Sequence, residues 1–386
     1  MEGYVHPDFA PVAEKLGRVL DGGWFSRGRG GAAVTVYRRG DLVVDAWGGV
    51  RDAAGSPWER DTMATSFSTT KGVVATVVHR LVDRGEIAYD DPVARYWPEF
   101  AAAGKQEITV RHLLTHQAGL HDVRGLVSSA RNLLDWDDMV ARLAAAEPRW
   151  EPGLRPGYHA LTYGWLVGEV IRRVTGLTVD EAVQREIAEP LGLDGLRVGL
   201  PEPERARAAE LLMSPKAIAR LEALARFLER RDRYRPFVEA LMVEDFLAMT
   251  LTDQIHDSEI PAANGVFTAR SLARMYAALA TPDDFDEPRL LSAETTEQAT
   301  EIQTRERDSV IGFNMRWRLG YHMAATTAGV LPAGFGHFGF GGSGAWGDPD
   351  TGLSVGFVVN AVAGTPFGDV RFLRLGGAAV RSQRRR

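Results

Sequence analysis

The chain has 386 residues, of which 45% are hydrophobic, so it is long enough to bury one large core or two smaller ones. Its formal net charge of −6 provides no basic field for nucleic acid, and the absence of cysteine excludes disulfides, thiolate catalysis and cysteine-ligated metals. Residues 1–20 lack the apolar core of a signal peptide and no stretch approaches the ~20 apolar residues of a membrane span, so we expect a cytoplasmic protein without nucleic-acid or membrane partners.

Hydrophobic spacing and turn signals predict the elements along the chain. Strands are predicted at 32–37 and 42–47, around a turn at 38–41, and at 343–347 and 353–360, around a turn at 348–352. Helices are predicted at 7–21, 70–84, 110–115, 137–146, 162–175, 179–190, 204–232, 236–250, 268–280 and 366–382. The basic residues 381–386 are expected to form a solvated end.

Strands at both termini, with helices between them, predict a fold of the α/β (α+β) class. In this fold both chain ends build one antiparallel sheet flanked by helices. We expect a sheet domain of residues 1–65 and 300–386, a large inserted all-helical domain of residues 66–299, and an active site at their interface. The Arg-, Glu- and Leu-rich stretch 202–250 is either a helical cap over a site or a solvated pair of amphipathic helices.

Ser68-Thr69-Thr70-Lys71 reads S-x-x-K at the start of an apolar helical run. Three residues are nearly one turn of a helix, so the serine hydroxyl and the lysine amine lie on the same face, within reach of each other. A serine hydroxyl is a weak nucleophile until a base takes its proton, and a partly desolvated lysine can be that base. The alternative is a plain helix N-terminus, with Ser66 or Ser68 as its cap and Lys71 in solvent.

Three other motifs are weaker. Residues 341–345 miss the last glycine of the G-x-S-x-G esterase elbow, and no histidine follows that serine along the chain. Residues 334–339 satisfy G-x-G-x-x-G, but no helix pattern follows them to hold a pyrophosphate. His112 and His116 are four residues apart with His121 nearby, yet no glutamate completes H-E-x-x-H, so we interpret all three as structural histidines.

Enzymes with an S-x-x-K nucleophile also need a second group that relays protons and a strand that holds the substrate. Two further motifs, which follow S-x-x-K along the chain, are candidates for these roles. A Pro-Gly pair precedes Tyr158 just ahead of a helix pattern, and residues 335–341 precede the terminal hairpin. This order resembles the serine β-lactamase and penicillin-binding-protein superfamily and, more narrowly, the class C-like carboxylesterases known as family VIII esterases. Segments 108–120 and 261–265 resemble that family as well, so the resemblance covers nearly the whole chain.

The resemblance implies a serine β-lactamase-like fold, and it implies roles for individual residues without any cofactor or metal. Ser68 is the acylated nucleophile, Lys71 accepts its proton, and Tyr158 passes protons to the leaving group and helps to activate the deacylating water. The backbone N–H groups of Ser68 and Phe340 form the oxyanion hole. The residues of the third motif align and bind the substrate: His337, Phe338 and Gly339.

The second and third motifs depart from the lactamase pattern. Where the lactamases carry Y-x-N, this chain has Ala160, whose side chain cannot hydrogen-bond the amide of a β-lactam or a peptide. Where they usually carry K-T-G, this chain has His337, which is mostly neutral near pH 7 and complements a substrate carboxylate less well than lysine. Both changes remove donors for a charged amide and leave the acyl-transfer residues in place, so they favour a neutral ester.

We therefore predict a serine carboxylesterase that hydrolyses small to medium acyl esters through an acyl-Ser68 intermediate, with a small-molecule ester as its partner. On the same apparatus the alternatives are a β-lactamase, a D-amino-acid peptidase or amidase, and an acyltransferase. A non-catalytic binding protein that keeps the fold is a further alternative, against which the intact Ser68, Lys71 and Tyr158 argue. The sequence indicates neither the physiological ester nor the oligomeric state.

Overall fold

A computed structural model of the chain describes residues 1–22, 30–286, 289–362 and 369–383, so residues 384–386 of the predicted basic end lie outside it. Within this part of the chain, two sheets are built from strands with the following bounds: β1 (Glu2–Val5), β2 (Gly31–Arg38), β3 (Asp41–Gly49), β4 (Met63–Thr65), β5 (Leu196–Val198), β6 (Ala208–Ala209), β7 (Gly265–Phe267), β8 (His322–Thr326), β9 (Gly329–Phe338), β10 (Gly344–Asp348) and β11 (Leu353–Val359).

The larger sheet contains seven antiparallel strands in the order β1-β3-β2-β11-β10-β9-β8. The N-terminal strands meet the C-terminal strands where β2 pairs with β11, with Val36 opposite Val355 and Val34 opposite Phe357. All four of these side chains are buried, so cross-strand packing of β-branched and aromatic residues joins the two chain ends. The prediction of one antiparallel sheet built from both termini is confirmed.

Local contacts shape both predicted hairpin turns. Arg39 and Gly40 join β2 to β3 with φ values of 44° and 79°, the left-handed geometry of a type I′ turn, which favours glycine. In the turn between β10 and β11, the Asp348 carboxylate accepts hydrogen bonds from the backbone N–H and the hydroxyl of Thr351, at 3.1 and 2.6 Å. Turns of defined geometry set the register of the strands that they join.

Helices occupy most of the chain between the two sets of sheet strands, and one more lies at each end. Their bounds are α1 (Ala10–Leu20), α2 (Thr69–Asp83), α3 (Val110–Leu114), α4 (Trp136–Ala145), α5 (Thr162–Thr175), α6 (Val179–Val183), α7 (Pro215–Glu229), α8 (Arg235–Leu241), α9 (Phe246–Thr250), α10 (Ala269–Ala280), α11 (Ala293–Thr300) and α12 (Val370–Gln383). A π-helical turn over Gln184–Ala188 extends α6, as the prediction for 179–190 required.

Two predicted helices are interrupted. The prediction of one helix over 204–232 is wrong in its first half, because β6 lies there and α7 begins only at Pro215. The Ser214 hydroxyl accepts the N–H of Ala217 and caps this start, and proline is well suited to the first helical position. The prediction over 236–250 is wrong near its centre, where Asp245 adopts φ of 61° between α8 and α9.

The helices form layers around the larger sheet. α1 and α12 cover one face, and α10 packs against β2, β10 and β11 on the other. α2 runs through the interior, with 12 of its 15 residues buried, so it is a central helix rather than an amphipathic surface helix. Its N-terminal end lies beside β9, which brings the S-x-x-K motif next to the third motif.

The segment between the sheet strands is predominantly helical, and it also contributes three short strands. β5, β6 and β7 join β4 in a second sheet with the order β5-β7-β4-β6. The proposed division into residues 1–65 with 300–386 and an insertion of 66–299 stays a prediction. Across the described ranges, none of the helices combines the length and the apolarity that a bilayer span requires.

Candidate active site

Ser68 lies where the chain passes from strand β4 into helix α2. The preceding residue, Phe67, has φ of 46°, a left-handed conformation that is unfavourable for a bulky side chain and turns the chain sharply. Ser68 is the N-cap residue of α2, yet its side chain makes no capping hydrogen bond, and the Ser66 hydroxyl donates to the carbonyl of Ala64 at 2.8 Å. The alternative prediction of a capping serine is therefore wrong.

Lys71 lies one turn along α2 and is completely buried, at 0% exposure. Its Nζ is 3.0 Å from Ser68 Oγ, 2.7 Å from the Ala160 carbonyl oxygen and 2.9 Å from the Ala262 carbonyl oxygen. Burial lowers the pKa of the amine well below its ordinary value of 10.5, because the charged form loses its hydration. A neutral amine has two N–H donors, which match the two carbonyls, and one lone pair, which can accept the serine proton.

The Ala262 carbonyl is presented by a loop that a buried asparagine holds in shape. Asn264 Oδ1 accepts the backbone N–H of Ile260 at 2.8 Å, and its amide group donates to the carbonyls of Ile255 and Ser258 at 2.8 and 2.6 Å. The Asn264 side chain thus ties together backbone groups of residues 255–260 and keeps the loop rigid. The rigid loop fixes the Ala262 carbonyl, one of the two that hold the lysine amine. The P-A-A-N-G segment of the sequence, residues 261–265, forms the end of this loop.

Tyr158 is the second partner of the nucleophile, with its phenol oxygen 2.8 Å from Ser68 Oγ. Burial raises the pKa of this phenol, so it stays protonated and donates to the serine oxygen. Its ring stacks on Trp317, with 5.5 Å between centroids and an interplanar angle of 9°, and Lys71 Nζ lies 4.9 Å from the ring centre. These ring contacts therefore orient the phenol.

Asp308 is a buried carboxylate behind Tyr158 that sequence reasoning missed. Its Oδ1 accepts the backbone N–H groups of Tyr158, Val310 and Ile311, at 3.1, 2.9 and 3.0 Å. Its Oδ2 accepts the indole N–H of Trp317 at 3.0 Å. One carboxylate therefore fixes both the backbone of the tyrosine and the indole on which its ring stacks. Burial raises the pKa of this carboxyl group.

The third motif reaches the nucleophile through its backbone. A Cβ at Gly339 would lie 2.1 Å from the Ser66 carbonyl oxygen, so only glycine permits this close approach. Phe340 follows in the turn after β9, and its ring meets that of Phe67 edge-on at 5.4 Å. In the described structure no backbone carbonyl accepts the N–H of Ser68 or of Phe340, so both donors are available to an oxyanion.

His337 is buried beside the catalytic groups, at 3% exposure. Its Nδ1 lies 2.9 Å from the Phe338 carbonyl oxygen and must be the protonated nitrogen, which leaves Nε2 as an acceptor without a partner among the described residues. Burial is the main cause that lowers the pKa of His337 well below 6.5, and the titratable neighbours His322 and Lys71 act in the same direction. The imidazole is therefore neutral at pH 7, and its role in substrate binding, like those of Phe338 and Gly339, stays a prediction.

The three histidines of segment 108–121 occupy separate local environments. His112 Nδ1 accepts a backbone N–H at the start of α3 at 3.3 Å, His116 Nδ1 accepts the N–H of His159 at 3.2 Å, and His121 stacks on Trp150 at 4.7 Å. Burial lowers the pKa of each of them. Over the described ranges, no group of three or more His, Cys, Asp or Glu residues has a geometry that could hold a metal ion.

Comparison with known proteins identifies the family. The family model described as Beta-lactamase matches residues 16–379, which include all three motifs. The chain belongs to the Beta-lactamase family. It is 42% identical over 365 residues to the esterase/beta-lactamase LipL of Mycobacterium tuberculosis, and the alignment covers 93% of this chain and 82% of that protein.

Solved structures of similar proteins have the same fold over nearly their entire length. A penicillin-binding protein homologue from Caulobacter crescentus superposes with a TM-score of 0.86 at 36% identity, and the match covers 99% of both chains. A family VIII carboxylesterase superposes with a TM-score of 0.84, also at 36% identity and 99% coverage of both chains. The resemblance predicted from the order of three short motifs is therefore confirmed for the family and the fold.

Proposed function

We propose that this protein is a serine carboxylesterase that hydrolyses small to medium acyl esters through an acyl-Ser68 intermediate. One observation carries the proposal, namely that Ser68 Oγ has a buried amine at 3.0 Å and a protonated phenol at 2.8 Å. The comparisons support an esterase, since the similar proteins include one named esterase/beta-lactamase and one titled family VIII carboxylesterase.

In the proposed acylation step, Lys71 takes the Ser68 proton as Oγ attacks the carbonyl carbon of the ester. The backbone N–H groups of Ser68 and Phe340 stabilise the negative oxygen of the tetrahedral intermediate. The C–O bond to the alcohol then breaks, Tyr158 gives its proton to the departing oxygen, and Lys71 returns a proton to the phenol. The alcohol leaves, and the acyl group stays on Ser68.

Deacylation repeats these proton transfers with water as the nucleophile. A water molecule gives its proton to the Tyr158–Lys71 relay and attacks the acyl carbon, and the same two N–H groups stabilise the oxyanion. The bond to Ser68 Oγ breaks, the serine regains a proton, and the carboxylic acid leaves. Because no carboxylate pairs with Lys71 in the described structure, burial alone lowers the pKa of the base.

The groups around the relay favour an ester over a β-lactam. Ala160 offers only its backbone carbonyl, which Lys71 already occupies, and its methyl group cannot bind the lactam amide. His337 is uncharged at pH 7 and cannot complement a substrate carboxylate as lysine does. Each buried polar group of a lactam that stays unpaired costs about 1–3 kcal/mol, or roughly tenfold to a hundredfold in rate.

The proposed catalytic groups come from both proposed domains. Ser68 is the N-cap residue of α2 and Lys71 lies in its first turn, Tyr158 precedes α5, and the Phe340 amide follows strand β9 of the larger sheet. Substrate would therefore bind between the sheet domain and the insertion of residues 66–299. A cytoplasmic location is part of the proposal and agrees with the absence of cysteine from the sequence.

A panel of p-nitrophenyl esters, a chromogenic cephalosporin and a fluorophosphonate label tests the proposal. We expect rapid hydrolysis of short esters, a label on Ser68 and none on Ser68→Ala. Ser343→Ala is the matched control and should label normally. Ser343 is also a buried serine, at 1% exposure, but its Oγ accepts the Val359 N–H at 3.2 Å and has no buried amine as a partner among the described residues. Normal labelling of Ser68→Ala would refute the assignment of the nucleophile.

A β-lactamase is the second candidate, since LipL bears both activities in its name. We expect kcat/KM for the cephalosporin to lie about two to four orders of magnitude below that for the best ester, because two donors are missing. Replacing His337 by Lys and Ala160 by Asn should raise lactam turnover relative to ester turnover. A wild-type ratio near or above one would favour the lactamase instead.

A further inference from the structure

Helix α7 carries large apolar side chains on its outer surface. Leu224 is 40% exposed and Phe227 is 49% exposed, whereas Leu228 is buried and packs with Phe237 and Val238 of α8. A helix that packs along one stripe normally presents polar side chains on the opposite side. The two exposed side chains are three residues apart, so they form one apolar patch on the solvent face.

Cations surround this patch. Arg220 lies four residues before Leu224 and seven before Phe227, so helical periodicity places all three on one face, with Lys216 a turn earlier. The guanidinium of Arg231 lies 4.9 Å from the centre of the Phe227 ring. Among the described residues, none of these three cations forms an ion pair with a carboxylate.

The two glutamates of α7 already pair with other arginines. Glu222 lies 3.9 Å from Arg226, and Glu229 lies 2.7 Å from Arg124 of the main body. Residues 214–235 contain seven Lys or Arg and three Asp or Glu, a net charge of +4 in a chain whose formal net charge is −6. Glu239, outside this range, pairs with Arg235 at 3.0 Å, and the remaining cations still exceed the carboxylates. The outer face of α7 therefore combines exposed apolar area with an excess of positive charge.

We propose that the outer face of α7 docks on the surface of a lipid bilayer rich in anionic phospholipid. Phe227 and Leu224 would enter the boundary between headgroups and acyl chains, and the surrounding cations would meet lipid phosphates. A second copy of the chain suits this face less well, because a twofold interface would bring like charges together. The proposal goes beyond ester hydrolysis and does not depend on it. It departs from the expectation of no membrane partner, which rested on the lack of a membrane-spanning stretch and not on the surface of α7.

The inner face of α7 belongs to the packing that reaches the catalytic groups. Leu228 packs in a cluster with α8, and Leu241 and Ile311 contact both this cluster and the cluster that contains Tyr158. Docking through α7 would therefore hold the proposed active site close to the lipid surface, where poorly soluble esters concentrate.

Co-sedimentation of the purified full-length chain with vesicles tests the proposal. We expect binding to vesicles that contain phosphatidylglycerol, little binding to pure phosphatidylcholine vesicles, and release at high salt, because salt screens the attraction between cations and lipid. The double variant Arg220→Glu/Phe227→Ser should lower the partition coefficient at least about tenfold, since it reverses one charge and removes one inserted ring.

The matched control is Arg374→Glu/Val330→Ser, which makes the same kinds of change at exposed positions outside α7. Absent binding, equal binding to both lipids, or an equal loss in the control overturns the proposal. So does concentration-dependent self-association without vesicles that the α7 variant abolishes, which would identify an interface between copies of the chain. Ser68→Ala should bind vesicles like the wild type, so this test and the test of the esterase proposal fail independently.

Discussion

Lys71 and Lys105 are both completely buried, and main-chain carbonyls hold both amines. Lys105 Nζ lies 2.7 Å from the carbonyl oxygen of Ala102 and 2.9 Å from that of Ala144, and a third carbonyl completes the set. Lys71 has only two carbonyl partners, and its third partner is the Ser68 hydroxyl at 3.0 Å.

The third partner separates a structural lysine from a candidate base. Three carbonyls can only accept, so they match the three protons of an ammonium group and stabilise its charged form. Burial lowers the pKa of Lys105 to about 8, against the opposing charge of Glu147, whereas it lowers the pKa of Lys71 well below the ordinary value. A hydroxyl can either donate or accept, so the Lys71 site also satisfies a neutral amine. Burial alone is therefore not a signature of catalysis.

The largest expected effect separates the two lysines by activity. Lys71→Met should lower kcat/KM for p-nitrophenyl acetate by about 10²–10⁴-fold, the usual contribution of a general base. Lys105→Met should leave kcat/KM of the folded fraction close to the wild-type value, because no reacting group lies near its amine. Equal losses in the two variants would contradict the distinction between them.

A second prediction concerns the phenol that shares the nucleophile with Lys71. Tyr158→Phe keeps the stacked ring and removes the donor, so kcat should fall by about 10²–10³-fold with little change in far-UV circular dichroism. The double variant Lys71→Met/Tyr158→Phe should cost little more than the worse single variant, because residues of one proton relay act as a unit. Strictly additive losses would mean that the two groups do not share a proton path.

Stability should separate the lysines in the opposite sense. Lys105→Met leaves three buried carbonyls without donors and should lower the free energy of unfolding by about 2–4 kcal/mol, measured by urea denaturation. Lys216→Met is the control, since Lys216 is exposed, and it should change the free energy of unfolding by less than about 0.5 kcal/mol. A neutral effect of Lys105→Met would show that water replaces the amine.

Asp308 acts on the reaction only through Tyr158 and Trp317, so its removal should have a moderate effect. Asp308→Asn keeps the shape but presents an N–H group toward one of its donors, and kcat should fall by about tenfold with KM little changed. Asp348→Asn is the control, because Asp348 is a buried carboxylate in the β10–β11 turn. If both variants only lowered the melting temperature, Asp308 would be purely structural.

The dependence of the rate on pH tests the lysine base in the wild-type protein, without any substitution. Only the neutral amine accepts a proton, so kcat/KM should rise about tenfold per pH unit up to the pKa of Lys71 and then level off. Because burial lowers that pKa well below 10.5, activity should be high in the neutral to mildly alkaline range, where the raised pKa of Tyr158 keeps the phenol protonated. An optimum at about pH 5 would contradict a lysine base.

Features that depend on near neighbours in the chain were accessible from the sequence. Ser68 and Lys71 are three residues apart, so helical geometry alone predicted that their side chains lie within reach of each other, and the structure places them 3.0 Å apart. The two hairpin turns were predicted because glycine and aspartate set turn geometry within a few residues. The order of the three motifs predicted the family. The helical spacing of residues 204–232 misled the prediction of one helix, because β6 lies in that stretch and α7 begins only at Pro215.

Only the folded chain reveals the groups that hold the lysine amine and the phenol. The carbonyls of Ala160 and Ala262 lie 89 and 191 residues from Lys71, and Asp308 lies 150 residues from Tyr158. The sequence drew attention to Ala160 and to the segment 261–265 that contains Ala262 only through the family resemblance. Every residue has a carbonyl, and a single aspartate carries no pattern, so nothing in the sequence indicated that these groups hold the amine and the phenol. The S-x-x-K motif marks Lys71 in the sequence, but packing alone brings distant carbonyls to Lys71 and Lys105, so only the tertiary structure shows that both amines are buried and that carbonyls alone hold Lys105.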